Sequence, residues 1–395
     1  MKISLLRERE NFDEVFKRSL TQFLEVKYQW EGELGFSFIP NAKRFIVNDL
    51  LNVFYPTSIP RAKLAPLTME FSWNPHPIKT FIQKLYIFWA VRFPLERFLS
   101  SSVFYITDRK GILEDIVIIP GNHSIRLVDT NKNICTVICK EGFNKSLLIK
   151  DAQVRLDNSH LNIPNIIELN SQEGWYKEER VIGLPLNRLD DEGVKLLILT
   201  KCQRDLGILY SSSLIEVQLC IFTENILAEI FKTLNYLNSP LDSETKGYIQ
   251  IVVASISSEL TKYSDEAYSI CTTHGDFQPA NVLCSDDAFW LIDWEYSDQR
   301  SIFYDALVFD LESRFTNQFS ARLKELYENL QKGIDFFSWT GKTLNKNNIH
   351  YLYTYLLEDV LLKLQELTSE AIVDKSNNLK LYLTEIQIFL SYLSE

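Results

Sequence analysis

The sequence predicts an α+β fold in two lobes. A small antiparallel sheet lobe with one helix is followed by a larger, mainly helical lobe, and an extra N-terminal region precedes both. Three observations carry this. Between Asp115 and Lys140 the apolar side chains switch from helical to strand periodicity. Beyond Asp190 almost every segment returns to the helical period. Inside that helical part, residues 282–293 break back into two short β-favouring runs. A sheet lobe followed by a helical lobe implies a cleft between them, and 395 residues with 46% apolar side chains supply enough burial for two or three cores.

The elements follow in order. Residues 11–29 place Phe12, Val15, Phe16, Leu20, Phe23 and Leu24 on one helical stripe. Residues 30–78 hold six prolines, at 40, 56, 60, 66, 75 and 77, and predict short irregular pieces. A second helix is expected from Pro77 to about Ser100; its "LYIFWAV" stretch is too short to span a bilayer and reads as a buried helix, with an interfacial one as the alternative. Three β-runs, 115–119, 124–129 and 134–140, are separated by "PGN" and "TNKN" breaks and form a meander. A helical segment over 144–160 and two further strands, in "LNIPNIIELN" and "GWYKEERVIGLPL", complete the small sheet. Helices are then expected over 190–210, 213–238, 244–264, 317–334, 346–371 and 376–394.

Composition excludes several classes. A net charge of −11 argues against a chain built mainly to hold nucleic acid or an anionic membrane, although nucleotide can still be bound where a few cations and amides converge. The six cysteines are scattered, with no CxxC and no zinc spacing, and read as reduced, buried thiols of a cytoplasmic protein. The first residues lack the apolar core of a signal peptide.

The chemistry concentrates in "THGDFQPANVLCSDDAFWLIDWEYS", Thr273 to Ser297. If "VLC" and "FWLID" form a hairpin pivoting on Asp286 and Asp287, Asn281 comes within one position of Asp293 across the ladder. An amide oxygen and a carboxylate so placed suit Mg²⁺, which takes hard oxygen ligands and keeps some water. Asp276 lies just upstream in the loop, and His274 is placed to orient it. An aspartate, an asparagine five positions on and a later metal-binding aspartate is the order of a phosphoryl-transfer site.

"HGDFQPANVL", "LIDWEYS" and "FYDALVF" resemble the aminoglycoside phosphotransferase and choline kinase family, which has a protein-kinase-like fold. The resemblance is specific over 273–309, extends plausibly over about 110–395, and does not reach the first hundred residues. It implies Asp276 as catalytic base, Asn281 and Asp293 as Mg²⁺ ligands, and Asp305 as a brace for the catalytic loop. ATP or GTP is the implied donor and a small-molecule hydroxyl the acceptor: a sugar or glycan precursor, an amino-alcohol or an aminoglycoside. Lys140, closing "TVICK", stands like the family's phosphate-binding lysine. Asp151 takes the place of the helix glutamate that pairs with that lysine, one methylene shorter. Ser124, in a turn with one glycine, stands for the phosphate loop, and the stretch 178–182, with Glu179 and Val181, for the segment contacting the base. Trp294, Glu295, Tyr296 and Trp339 are candidates to line the acceptor pocket. Residues 1–105 then form an extension open to a partner or self-association, 106–182 the nucleotide-binding lobe and 183–395 the catalytic and acceptor-binding lobe. The shortened acid and thin glycine loop keep a second reading open: a weakly active or inactive kinase-like binding or scaffold protein.

Overall fold

The apolar stripe of residues 11–29 folds as α2 (Phe12–Tyr28), behind a short α1 (Ile3–Arg9), and its Phe12, Val15, Phe16, Leu20, Phe23 and Leu24 are buried. The computed structural model describes residues 3–68, 76–92, 101–237, 241–285, 288–368 and 377–393. Four strands follow the two helices: β1 (Leu34–Gly35), β2 (Lys43–Asn48), β3 (Val53–Pro56) and β4 (Ser102–Ile106). Between the last two lie α3 (Arg61–Thr68) and α4 (Pro77–Arg92). The helix expected to reach Ser100 therefore ends at Arg92; residues 93–100 lie outside the described residues.

The meander is present as β5 (Ile116–Pro120), β6 (Ser124–Asp129) and β7 (Ile134–Cys139), followed by α5 (Lys145–Asp157), β8 (Ile166–Asn170) and β9 (Trp175–Glu179). All nine strands form one antiparallel sheet in the order β1-β4-β2-β3-β5-β6-β7-β9-β8. The stretch read as irregular thus supplies three strands to the same sheet, with β4 as a fourth after α4, joined to the meander through Phe54 opposite Ile118. Alternate side chains point to opposite faces of a strand, and here each face has its own helices. Phe54, Phe104, Ile118, Ile125, Leu127 and Ile138 pack under α1 and α2, with Phe16 stacked 4.5 Å from Phe54. Val117, Val128, Cys135, Val137 and Tyr176 form the other face with Leu64, Ala90, Leu148 and Ala152 of α3, α4 and α5. Each buried Val, Leu, Ile or Phe among them contributes about 1.5–3 kcal/mol.

The chain divides into two compact units, residues 1–191 with 282–292, and residues 192–281 with 293–395. The first unit includes a second sheet, β10 (Leu184–Pro185) with β13 (Val282–Ser285) and β14 (Ala288–Leu291), in the order β10-β13-β14. Its hairpin register sets Val282 opposite Leu291, so Asn281 and Asp293 flank its base; the tip at 286–287 lies outside the described residues.

The second unit holds α6 (Glu192–Ser213), β11 (Ile215–Gln218), α7 (Leu219–Tyr236), α8 (Ser243–Leu260), β12 (Ala267–Thr273) and β15 (Asp298–Ser301). It closes with α9 (Tyr304–Asp310), α10 (Phe319–Gln331), α11 (His350–Glu366) and α12 (Asn377–Leu393). One expectation is corrected. The helix read over 213–238 begins only at Leu219, because "IEVQ" pairs with β12 as an edge strand of the sheet β11-β12-β15. The backbone bonds of that ladder outweigh the weak helical signal of four residues. Helix α11 is buried almost all round, as a helix apolar on every side must be.

Candidate active site

Strand β12 delivers the loop that follows it, and three groups fix the loop's shape. Gly275 sits at φ +84°, and a Cβ there would lie 2.0 Å from the Tyr296 carbonyl oxygen. Only glycine accepts both the left-handed conformation and the close approach. Arg300 Nη1 donates to that same Tyr296 oxygen at 2.6 Å. Asp305, fully buried in the first turn of α9, accepts from the backbone N–H of His274 at 2.7 Å and of Gly275 at 2.8 Å, and from the Tyr210 hydroxyl at 2.7 Å. The bracing role expected of Asp305 is visible in these bonds.

His274 is fully buried, its ring 4.5 Å from that of Trp294, and its Nδ1 accepts from the Asp276 N–H at 3.3 Å. It shapes the loop from within. Asp276 is held at both oxygens: Oδ1 accepts from Arg314 Nε at 2.5 Å, and Oδ2 from Gln278 Nε2 and Asn281 Nδ2, each at 2.8 Å. A carboxylate has about four acceptor sites; these three donors leave room for one more, as a base requires. Asn281 Nδ2 also donates to the Asp276 carbonyl at 2.9 Å. With the amide nitrogen committed inward, its oxygen is turned away from Asp276. Asp293 follows the hairpin in a left-handed conformation, φ +70°, which aspartate tolerates better than most residues. Asn281 and Asp293 are the side chains that could hold a Mg²⁺ ion, which takes hard oxygen ligands. Among the described residues no group of three His, Cys, Asp or Glu side chains gathers as a metal cluster.

Arg314 was not legible from the sequence. It is a lone arginine after α9, 38 positions from Asp276, with no local motif. Besides Asp276 it donates to Asp359 Oδ1 at 3.1 Å and to the Gly275 carbonyl at 2.8 Å. Burial opposes the Asp359 charge, but Lys363, Arg314 and the Tyr382 and Tyr304 hydroxyls outweigh it and hold its carboxyl below the usual range. Burial also opposes the Arg314 charge, which Asp276 and Asp359 more than restore. The guanidinium is thus a fixed cation on the candidate base.

The first unit corrects one pairing. Lys140 Nζ is bound to Glu10 Oε1 at 2.6 Å and to the Asn122 carbonyl at 3.2 Å, with both charged side chains fully enclosed. Asp151, expected as its partner, accepts instead from the Tyr176 hydroxyl at 2.5 Å and Arg155 Nη1 at 3.3 Å. The reason is the pleat: Lys140 lies over Phe12 on the α2 side of the sheet, whereas Tyr176 and α5 belong to the other side. Burial pushes the Lys140 ammonium down to about 8 against the pull of Glu10. Ser124 closes the β5–β6 turn, its carbonyl accepting from Gly121 N at 2.8 Å. Glu178 is drawn to Arg155 at 2.7 Å, Glu179 is exposed and accepts from Asn165, and Val181 is half-buried between β9 and β10.

Of the proposed acceptor lining, Trp294 is fully buried packing and Trp339 borders an open cavity of about 780 Å³ with Thr200, Gln203, Arg204, Gly207 and Ser211. The Trp339 ring lies 6.4 Å from that of Phe277, next to Asp276. Glu295 and Tyr296 are half-buried.

No protein-family model matches the sequence, and no curated protein matches it. Among solved structures the chain is similar to a choline/ethanolamine kinase family protein from Mesorhizobium loti, at 15% identity over 80% of this chain and 95% of that one, with a TM-score of 0.43. It is also similar to the choline kinase LicA from Streptococcus pneumoniae, at 17% identity over 69% and 91% of the chains, TM-score 0.46. A third likeness is to the aminoglycoside phosphotransferase APH(4)-Ia, at 11% identity over 70% and 93%, TM-score 0.47. These are distant likenesses, and the geometry of the loop stands independently of them.

Proposed function

We propose that the protein is an ATP-dependent phosphotransferase of kinase-like fold that moves the γ-phosphate to a hydroxyl of a small molecule, with Asp276 as the base. The acceptor class is a sugar or glycan precursor, an amino-alcohol or an aminoglycoside-like compound. The observation that carries this is Asp276 itself: a carboxylate with one acceptor position left, oriented by Asn281, on a loop clamped by Asp305. A Mg²⁺ ion held by Asn281 and Asp293 would neutralise phosphate oxygens. Asp276 accepts the proton of the attacking hydroxyl, His274 and Asp305 keep the loop rigid, and Arg314 sets the direction of the carboxylate. Lys140 supports the β5–β6 turn from behind, through the Asn122 carbonyl.

The test is a thermal melt with MgATP and with MgGTP, beside an Asp293→Ala variant. Nucleotide at about a hundred times its dissociation constant adds roughly 2.7 kcal/mol, a rise of several degrees. The expected result is a Mg²⁺-dependent rise in the parent that disappears in the variant, followed by turnover in an acceptor screen. A cooperative melt that neither nucleotide moves overturns the proposal.

A second reading, a kinase-like scaffold of weak or no activity, is favoured by the Arg314 ion pair on Asp276 and by Glu10 in place of Asp151 on Lys140. Nucleotide-dependent stabilisation without turnover of any acceptor would support it.

A further inference from the structure

Arg314 lies in the second unit, shortly after α9, and is held at all three of its guanidinium nitrogens. Nε donates to Asp276 Oδ1 at 2.5 Å, Nη2 to the Gly275 carbonyl at 2.8 Å and Nη1 to Asp359 Oδ1 at 3.1 Å. The first two acceptors belong to the loop that carries the candidate base. Among the described residues, Asp359 on α11 is the one hydrogen-bond acceptor that ties the guanidinium to anything outside that loop. Asp359 is itself fully buried and held from three elements. Its Oδ1 also accepts from the Tyr304 hydroxyl of α9 at 3.1 Å, and its Oδ2 accepts from the Tyr382 hydroxyl of α12. Lys363 Nζ, one turn further along α11, stands 3.8 Å from Oδ2. A guanidinium is planar, so an anchor on Nη1 constrains the direction in which Nε–H points. On Asp276, Oδ2 already accepts from Gln278 and Asn281, so the open acceptor site is on Oδ1, beside the Arg314 Nε–H.

Resting on the phosphotransferase reading, we propose that Asp359 and Tyr382 are positioning residues for the transfer, acting on Asp276 through Arg314. In that step the acceptor oxygen bonds to the γ-phosphorus as the bond from that phosphorus to the β,γ-bridging oxygen breaks. The hydroxyl proton passes to Asp276 Oδ1, and ADP leaves with the electron pair. The oxygen that takes the proton is thus the one Arg314 touches, and the placing of the guanidinium sets both its direction and its strength as a base. Asp359 does two things there. It references the guanidinium plane to the helical scaffold instead of to the loop alone, and it shares the cation's charge. Without that second carboxylate the charge bears on Asp276 alone, and Oδ1 becomes the weaker base. Tyr382 holds Asp359 from α12, so the last described helix takes part in the chemistry without meeting a reacting atom.

The experiment uses the full chain with MgATP as donor and water as acceptor, and compares the parent with Asp359→Asn and Tyr382→Phe. Steady-state hydrolysis gives kcat and KM, and melting reports the fold. A nitrogen-15 spectrum of the arginine Nε–H groups, with Arg314 assigned by an Arg314→Lys variant, reports the contact itself and needs no turnover. Misplacing a reacting group by about 1 Å costs on the order of a hundredfold. Asp359→Asn should therefore lose about a hundredfold in kcat with KM for MgATP unchanged. Tyr382→Phe, which removes one hydroxyl and keeps the fold if Asp359→Asn does not, should lose a smaller factor in the same way. The Arg314 Nε resonance should move in both. Unchanged kcat in the folded variants, or an Arg314 resonance that stays in place, overturns the inference. So does a loss of kcat that only follows the melting temperature, with KM rising in step. A parent that hydrolyses no MgATP instead removes the phosphotransferase reading and the catalytic part of this one with it, while the nitrogen spectrum still decides whether Asp359 places Arg314.

Discussion

Gly275 carries two constraints at once. Its φ of +84° is one that residues with side chains rarely adopt, and a methyl group would meet backbone oxygen at 2.0 Å, which rotation of a side chain cannot relieve. Gly275→Ala should cost at least about 2 kcal/mol in urea unfolding, with the slope unchanged. A neutral effect would mean that the loop is not clamped as described. Glu358 gives the pH-dependent case. Its Oε1 accepts from Ser301 N at 2.9 Å, its Oε2 has no hydrogen-bond partner among the described residues, and burial raises its carboxyl to about 8. The folded state therefore keeps the proton that the unfolded state loses near 4.5. The resulting stability is present below that value and is lost as pH climbs toward 8. Glu358→Gln cannot ionise, so its advantage over the parent should grow by about 1.4 kcal/mol per pH unit. Urea unfolding at two pH values inside the window measures this, and a constant gap would refute it. At this scale Asp276, Asn281, Asp293 and Asp305 were legible because their spacing is local, within 30 positions. Arg314 and Glu10 were not: each reaches its partner only after the chain has folded back.

Elements were legible where period and punctuation agreed. The three runs of the meander, the stripe of α2 and the hairpin after Asn281 fall within a residue or two of their observed ends. Strand β11 was missed because four residues between two helices leave no period to read. Strands β1 to β3 were missed because prolines and turns mask short runs, and β4 because its partners β1 and β2 lie far back along the chain. The junction of α1 and α2 with the sheet hangs on the enclosed Lys140–Glu10 pair. Removing one member leaves a buried charge, so Glu10→Ala should cost about 3–5 kcal/mol, whereas Glu10→Leu with Lys140→Met should cost far less. Equal losses in single and double variants, by denaturant titration, would show that the pair is not the anchor.

At the scale of the whole molecule, a sheet unit and a mainly helical unit were foreseeable from the change of period near Asp190, and the compact units divide at 191/192. The hairpin was foreseeable as a break in the helical half, but not as part of the first unit, because periodicity says nothing about which sheet a strand joins. That membership has a consequence for synthesis. Strand β10 waits as an open edge until β13 and β14 have left the ribosome, about 100 residues later. At about 5–20 residues per second that is a delay of roughly 5–20 s. A chain truncated at the apparent boundary lacks both strands and leaves β10 without its partner β13.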